Sequence, residues 1–412
     1  MFIRSTLKLF LVIHHGWHKL CARWMRSDFT PTYCHHSLKI MPEVVEILNT
    51  LTDAGFEAYV VGGGVRDLLA SVRPKDFDVA TDARPEQIHA LFKYSRLIGR
   101  RFPLVHVRYG RKRDEFIEVS TFRAEGRGLM ARWYRSVSHN NYYGTCSTDV
   151  WRRDFTINAL LFDVKQQVVI DYCEGLKDIE ARLIRVIGTP SVRFEEDPIR
   201  MLRAIRLASK LKFTIEAQAL KALCEQRHLL AQVSPERLTL EVVKLFYTGA
   251  GVLVWELLLE YEILPIILNT LQQCLEGRQG RKVRQFVLQA LSDADQRFHS
   301  NQHLSVGFLF AVLYWFPWKR HRRTLRLGRK ASLRKPMRNF LDRSNIMLVL
   351  TNRCCETVIA IWELQHLMSL THPEQSAHLY RHPKFRAAHH FLILRGVVGD
   401  LDQSRIEPWV QD

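Results

Sequence analysis

The sequence lacks the cysteine patterns of a zinc site or a redox dithiol. It contains eight cysteines, but none forms a CxxC pair or stands with the paired histidines of a zinc finger. We interpret the adjacent Cys354 and Cys355 as two small, half-buried side chains of one helix, as is common for free cysteines. This use of cysteine fits a reducing compartment, so a cytoplasmic protein is expected.

Long apolar runs are also missing. A helix that spans a bilayer needs about 18 or more apolar residues in succession, whereas runs such as 308–316 are much shorter. We therefore expect neither a membrane-spanning segment nor a membrane partner.

Acidic residues are absent from the first 27 positions, which carry five lysines and arginines among apolar residues. This pattern resembles a transit peptide, and the two alternatives are a loose basic extension and a start codon placed too early. We interpret 1–38 as a basic N-terminal extension.

Acidic residues are outnumbered in the chain as a whole. The 60 lysines and arginines exceed the 42 acidic residues, which gives a formal net charge of +18. Such a surplus favours polyphosphate partners, and the alternative is that it only solvates the surface. With 412 residues, 47% of them apolar, the chain is long enough for two or three globular units.

Apolar periodicity separates two regions of the chain. Short strand-like runs alternate with helices up to about residue 180, and helical periodicity continues from residue 197 onward. The predicted strands are 56–61, 76–79, 104–109, 116–122 and 160–164, and the predicted early helices are 40–51, 65–70 and 85–94. The sequence therefore predicts an α+β domain with a mixed sheet over 39–180, followed by an all-α region that we divide into 181–250 and 251–412.

Two neighbouring segments contain the chemistry, VVGGGVRD (60–67) and KDFDVAT (75–81). Gly63 and Gly64, at a strand-to-helix turn, let backbone N–H groups approach triphosphate oxygens, helped by the positive end of the following helix. Asp76 and Asp78 stand two apart on a predicted strand, so both carboxylates face one side and hold Mg²⁺ or Mn²⁺. An isolated pair of this kind is more often a solvated strand edge, but the adjacent glycine turn favours the metal site.

Two divalent ions about 3.5 to 4 Å apart activate a hydroxyl and stabilise departing pyrophosphate, which is the chemistry of nucleotidyl transfer. Because two aspartates share one face, one of them is expected to have a raised pKa without cations. Metal affinity should therefore fall in acid.

The glycine turn followed by the DxD resembles the nucleotidyltransferase superfamily that contains DNA polymerase β. That resemblance implies a third acidic residue, for which the sequence offers Asp154 in RRDFTINAL (152–160) and Glu118 in a strand pattern. Similarity to the closer family favours Asp154 as the active-site carboxylate, and the superfamily's strand pattern favours Glu118 as the metal ligand. We place Asp154 first and keep Glu118 as the alternative.

RRDFTINAL and EEDPIRMLRAIRLA (195–208) are similar to the class II branch, which contains bacterial poly(A) polymerases and the enzymes that add CCA to transfer RNA. Asp197 and Arg200, three apart at a helix start, present an acceptor beside a donor, which matches adenine and cytosine but not guanine or uracil. Arg203 and Arg66 are positioned to reach triphosphate or ribose oxygens. Surface salt bridges are the alternative role for these cations.

RLIGRRFPLVHV (96–107), FLFAVLYWFP (308–317) and HPKFRAAHHFLILR (382–395) resemble poly(A) polymerases rather than CCA-adding enzymes. In that family Arg100 or Arg101 would meet phosphate, and we select Arg101. The resemblance implies a polymerase β-like head, a nucleotide-recognition neck over 181–250 and an RNA-binding body over 251–412.

The expected activity is template-independent addition of AMP from ATP to RNA 3′ ends, with RNA-decay proteins as further partners. CCA addition is the alternative. A catalytically inactive RNA-binding protein is also conceivable, but the intact Asp76, Asp78 and Arg200 argue against it.

A cationic stretch without acids, WKRHRRTLRLGRKASLRKPMR (318–338), lies in the helical region. It fits either contact with RNA phosphates or a solvated helix face, and the sequence leaves both readings open.

Overall fold

The computed structural model describes residues 30–99, 103–110, 115–124, 143–302, 304–325, 332–343 and 347–410. The chain divides into two compact units, Met1–Ala181 and Arg182–Asp412. The predicted phosphate contact at Arg101 and the nature of residues 1–27 lie outside the described residues.

The described part of the first unit contains a mixed sheet of eight strands in the order β1-β8-β7-β2-β3-β6-β5-β4. The strands are β1 (Thr32–His35), β2 (Ala58–Val61), β3 (Asp78–Thr81), β4 (Ser95–Ile98), β5 (Leu104–Arg108), β6 (Phe116–Thr121), β7 (Leu161–Asp163) and β8 (Val168–Asp171). The β3–β6 pair is parallel, and its neighbours are antiparallel. The predicted α+β head with a mixed sheet is confirmed.

Five described helices accompany this sheet. They are α1 (Pro42–Asp53), α2 (Gly63–Leu69), α3 (Pro85–Leu91), α4 (Cys146–Arg152) and α5 (Gly175–Glu180). Helix α1 buries Val44, Leu48 and Leu51 in one core with Val60 and Val79 of the central strands. The helical spacing of its apolar residues therefore places α1 over the strands that carry the site.

Strand β3 begins later than predicted, at Asp78 rather than at Asp76. In the antiparallel pair β2–β3, Asp78 stands opposite Val61, the last residue of β2. The chain turns away at Gly62, so the segment before Asp78 has no strand partner on that side. Asp76 consequently lies in the loop before the strand, and the prediction that both carboxylates stand on one strand was wrong.

Strand β1 lies within the segment interpreted as an extension, and it pairs antiparallel with β8. All four residues of β8 are buried. Pairing with β1 satisfies the outer hydrogen-bonding edge of this buried strand. The sequence of β1, TYCH, has no clear apolar alternation that would have indicated a strand.

The described part of the second unit is helical apart from a two-stranded parallel pair, β9 (Leu183–Ile184) and β10 (Thr214–Ile215). Its described helices are α6 (Pro190–Glu196), α7 (Ile199–Leu211), α8 (Ala217–Gln226), α9 (Pro235–Phe246), α10 (Gly251–Glu260), α11 (Leu264–Ile267), α12 (Asn269–Leu275), α13 (Gly280–His299), α14 (Val306–Thr324), α15 (Arg334–Arg343), α16 (Asn352–Met368), α17 (Phe385–Val397) and α18 (Glu407–Val410). Helix α14 is buried without interruption from Gly307 to Trp318. None of the described helices combines the length and hydropathy needed to cross a membrane.

Candidate active site

The glycine turn and the DxD segment touch each other. The turn starts at Gly62, whose φ of 70° is one that glycine adopts without strain. A Cβ at Gly64 would lie 2.7 Å from the Phe77 ring and 3.2 Å from the carbonyl oxygen of Asp76. Only a glycine therefore allows the start of α2 to pack against the segment that carries the aspartates. A Cβ at Gly63 would lie 3.5 Å from the Arg66 guanidinium, which is an ordinary van der Waals distance.

Asp78 is at the centre of an acidic group. Its Cα is paired with that of Glu118 in the parallel β3–β6 ladder, so the two side chains share one face of the sheet. Burial, followed by the negative charges of Glu118 and Asp76, raises the pKa of Asp78 to about 6, although Arg153 opposes the rise. The negative charges of Glu118 and Asp76 thus act on Asp78 near the glycine turn, and this excess of negative charge favours an added cation.

Glu118 also contacts a histidine of β5, the strand that pairs with β6 on the edge opposite β3. His106 of β5 is its partner in the antiparallel register, and the distance from His106 Nε2 to Glu118 Oε1 is 3.4 Å. The His106 ring stacks on Phe116 with 3.8 Å between the ring centroids. The histidine therefore approaches Glu118 from a fixed direction.

The donor set at this site suits a hard divalent cation. Carboxylate oxygens are the ligands that Mg²⁺ prefers in proteins, and the raised pKa of Asp78 reflects an excess of negative charge at the site. Within the described residues, no group of three or more acidic, histidine or cysteine side chains is arranged to hold a metal ion. Asp76 and Asp78 are the residues that would hold the ion.

Asp154 belongs to a separate buried network. Its Oδ1 accepts hydrogen bonds from the Phe155 N–H and from the Asn158 side chain, both at 2.9 Å. The Asn158 Oδ1 accepts in turn from Arg66 Nη1 at 2.5 Å, and Arg66 is also paired with Asp67. The structure therefore brings Asp154 and Arg66 together through Asn158, and it places Arg66 in a buried network rather than in an open position.

Arg153 is a site residue that the sequence reasoning missed. It donates from Nε and Nη2 to Asp149 Oδ2, at 3.2 and 2.9 Å, and from Nη1 to the Asn158 carbonyl at 3.3 Å. A Cβ at Gly62 would lie 3.2 Å from its Nη1, and its charge lowers the pKa of Asp78. The two adjacent arginines of RRDFTINAL could have identified Arg153 in the sequence, because a cation next to a candidate catalytic aspartate is itself a candidate site residue.

In the second unit, the predicted acceptor Asp197 lies at the corner between α6 and α7. Its carboxylate accepts from Arg237 Nη2 of α9, at 3.1 Å to Oδ1 and 3.0 Å to Oδ2. Arg237 was not singled out in the sequence, because the partner lies 40 positions away. The carboxylate is thus held from one side by an exposed cation of α9.

The predicted donor Arg200 is anchored in the same corner. Its Nη1 donates to the Arg193 carbonyl at 2.7 Å and to Glu196 Oε2 at 3.0 Å. Arg203 stands further along α7 and is half-buried. These two bonds orient Arg200 at the corner between α6 and α7. They leave the other N–H donors of Arg200 unused.

The two candidates for the third carboxylate make different predictions. We expect Glu118→Gln to weaken Mn²⁺ binding about tenfold, because it removes a charge beside Asp78. Asp154→Asn should leave Mn²⁺ binding near the wild-type value and lower the free energy of unfolding by about 1 to 2 kcal/mol, since Phe155 and Asn158 lose a charged acceptor. Loss of the free Mn²⁺ electron paramagnetic resonance signal measures the binding, and the reverse pattern would identify Asp154 as the ligand.

Family models match most of the chain. "Poly A polymerase head domain" matches residues 58–185, "Probable RNA and SrmB- binding site of polymerase A" matches 212–275, and "Polymerase A arginine-rich C-terminus" matches 327–411. Curated relatives agree. Poly(A) polymerase I of Escherichia coli O6:H1 is 36% identical over 382 residues, which cover 90% of this chain and 82% of the relative. The enzyme of the same name from Haemophilus influenzae is 34% identical and covers 94% and 90%.

CCA-adding enzymes are similar over a shorter stretch. The one from Lactobacillus helveticus is 43% identical over 208 residues, which cover 50% of this chain and 49% of the relative. Among solved structures, the Bacillus stearothermophilus CCA-adding enzyme in complex with CTP matches with a TM-score of 0.61 and 24% identity. The match covers 90% of this chain and 82% of the chain of the CCA-adding enzyme. This likeness establishes a shared fold.

Proposed function

Because this chain belongs to the poly(A) polymerase family, we propose that it adds AMP from ATP to RNA 3′ ends without a template. The observation that carries the proposal is the contact between the glycine turn and the acidic group around Asp78. A triphosphate and a hard cation have complementary charges, and this arrangement supplies a backbone turn for one and carboxylates for the other. We place the activity in RNA polyadenylation and decay in the cytoplasm.

In the proposed reaction, the RNA 3′-hydroxyl loses its proton to solvent, its oxygen forms a bond to the α-phosphorus of ATP, and the bond from that phosphorus to the bridging β-phosphate oxygen breaks. AMP joins the RNA and pyrophosphate departs. Asp76 and Asp78 would hold Mg²⁺, which when bound would neutralise charge on the attacking and leaving oxygens. Gly63 and Gly64 keep the backbone near the phosphates, and positioning accounts for most of the rate because such transfer needs little covalent help from the protein.

Base selection is assigned to Asp197 and Arg200. The Asp197 carboxylate accepts from an exocyclic amine, and Arg200 donates to the neighbouring ring nitrogen. The support for this assignment is that Arg237 and Glu196 each fix one of the two side chains. Arg66 and Asp154 are proposed to stabilise the glycine turn through Asn158, and Arg203 to contact phosphate or ribose.

CCA addition is the second candidate, and the strong match of half the chain to a CCA-adding enzyme favours keeping it. The longer match to poly(A) polymerases supports the first candidate. Both bases fit an amine-reading pair, so the catalytic residues alone do not separate the two activities.

Product length separates them. We expect a ladder of long A-tails when the protein is incubated with ATP and an unstructured RNA, because nothing in the proposed reaction limits repeated addition. Denaturing gels with labelled ATP or CTP provide the measurement, with transfer RNA that lacks its 3′ end as the second substrate. A discrete CCA product on that transfer RNA, with no ladder on the other RNA, would replace the proposed function by the alternative.

A further inference from the structure

The helical unit contains an open cavity of about 600 Å³ between α12, α14 and α15. Its polar and charged lining includes Gln273 of α12, Arg320 and His321 of α14, and Asn339 and Arg343 of α15. None of the described residues that line it is acidic. A concave surface of this size with a positively charged lining is suited to an anionic ligand that also presents a ring or amide edge.

Three described cations of the 318–338 stretch are paired with carboxylates. Lys319 is paired with the buried Asp400, Arg334 with Glu356 and Glu363, and Arg338 with Glu356. These cations hold helices of the unit together, and they are not available to a ligand without breaking those pairs.

Arg320 and the nearby Arg343 are different. Both are exposed, and the described residues offer neither of them a carboxylate partner. Arg320 donates a hydrogen bond to Gln273 Oε1, at 3.2 Å, and its side chain also interacts with the Cys274 thiol. These contacts hold the guanidinium at the cavity wall, and a guanidinium has five N–H donors, so others remain for a ligand. Arg320 of the stretch and Arg343 just beyond it therefore place positive charge at this cavity.

The base of the cavity is rigid and aromatic. Phe340 is buried, and its ring lies 5.5 Å from Trp318 and 5.3 Å from the half-buried His321, measured between centroids. The His321 ring tilts by 33° against Phe340. A planar imidazole supported from beneath in this way is a surface on which a nucleobase stacks.

We propose that this cavity is a subsite for single-stranded RNA, in which Arg320 and Arg343 contact backbone phosphates and His321 contacts a base. The proposal rests on the proposed function, because it deepens how the same enzyme holds its RNA substrate. If RNA binding depended only on the number of cations near the end of α14, it would not matter whether the arginines that are removed line the cavity. The test distinguishes these two cases.

The test compares two charge-matched double variants of the full chain. Arg320→Ala with Arg343→Ala removes both cavity arginines, whereas Arg323→Ala with Arg353→Ala removes two arginines that do not line it, one of them on the same helix α14. Fluorescence anisotropy with a labelled single-stranded oligoadenylate measures binding in the absence of ATP. We expect about tenfold weaker binding for the cavity variant.

The salt dependence gives a second readout. The slope of log K against log salt should fall in magnitude by about 1.4 in the cavity variant, at about 0.7 per phosphate contact of a single strand. The charge-conserving pair Arg320→Lys with Arg343→Lys should recover most of that slope. Equal weakening by both alanine variants, or no weakening by the cavity variant, would overturn the subsite.

Failure of the subsite is distinguishable from failure of the proposed function. AMP incorporation by the unmodified protein on the same oligoadenylate is measured in parallel. If the protein incorporates AMP but the cavity variant binds RNA like the control, the subsite alone is overturned. If the cavity variant loses RNA binding selectively while the unmodified protein incorporates no AMP, the subsite is supported and the proposed function is contradicted.

Discussion

Asp78→Asn is expected to reduce AMP incorporation by about 1,000-fold and at the same time to stabilise the metal-free protein. The activity falls because an amide of the same shape removes a charge that the cation requires at the centre of the acidic group. The stability rises because the wild-type carboxylate is held, half-buried, beside Glu118 and Asp76. Both effects have one cause, the concentration of negative charge at this position.

The sign of the stability effect depends on pH. The pKa of Asp78 is raised from 3.8 to about 6 in the folded protein, so between these values the folded state binds more protons than the unfolded state. Stability therefore decreases as the pH rises through this window, and the full cost applies above about pH 6. The advantage of Asp78→Asn should be absent near pH 4 and reach at most about 3 kcal/mol above pH 6.

Calorimetric unfolding in the presence of a chelator, repeated from about pH 4 to about pH 8, measures this dependence. Asp53→Asn is the matched control, since Asp53 is an exposed aspartate of the same unit whose partner Lys165 lies at 3.3 Å. A surface pair of this kind contributes little. Substantial AMP incorporation by Asp78→Asn, or equal stability of the two proteins at every pH, would contradict the assignment.

Asp400→Asn is expected to lower the free energy of unfolding of the helical unit by about 3 kcal/mol, because it leaves buried cations without a counter-charge. The Asp400 side chain is 2% exposed. It accepts from Arg395 Nε at 2.9 Å, from Trp315 Nε1 at 3.1 Å and from Lys319. Burial alone would raise the pKa of Asp400, but Arg395 and Lys319 lower it overall.

Because the folded-state pKa of Asp400 is depressed, its contribution is complete above the unfolded value of 3.8 and is lost as the pH falls below it. The difference between wild type and Asp400→Asn should therefore be full at neutral pH and shrink only in strong acid. Asp402→Asn, an exposed aspartate two positions away, serves as the control in urea unfolding. Equal midpoints for the two variants would show that the network is not a stabilising element.

Local signals in the sequence were sufficient for the elements near the site. The glycine turn, the apolar spacing of α1 and the central strands were predicted within a few residues of their observed bounds. The exact start of β3 was not predicted, because it depends on where β2 ends and the chain turns away at Gly62. Strand β1 was missed for a similar reason, since its partner β8 lies far along the chain.

The partners of charged groups were beyond the sequence. The sequence placed Asp154 ahead of Glu118 as the third carboxylate, and only the parallel register of β3 and β6 brings Glu118 beside Asp78. Arg66 was expected at the triphosphate, but it is bound to Asn158 92 positions away. The cationic stretch was ambiguous until its pairs with Glu356, Glu363 and Asp400 were known.

The amino-acid sequence by itself therefore determined the types of chemistry available to this protein: a glycine bend, neighbouring carboxylates and a surplus of cations. Backbone conformation and helical or strand periodicity depend on residues close together in the chain, and the sequence displays them directly. Tertiary structure decided which carboxylate joins Asp78 and which arginines remain for a ligand. Those choices depend on contacts between distant segments, because burial and charge pairing are set only when the strands and helices pack.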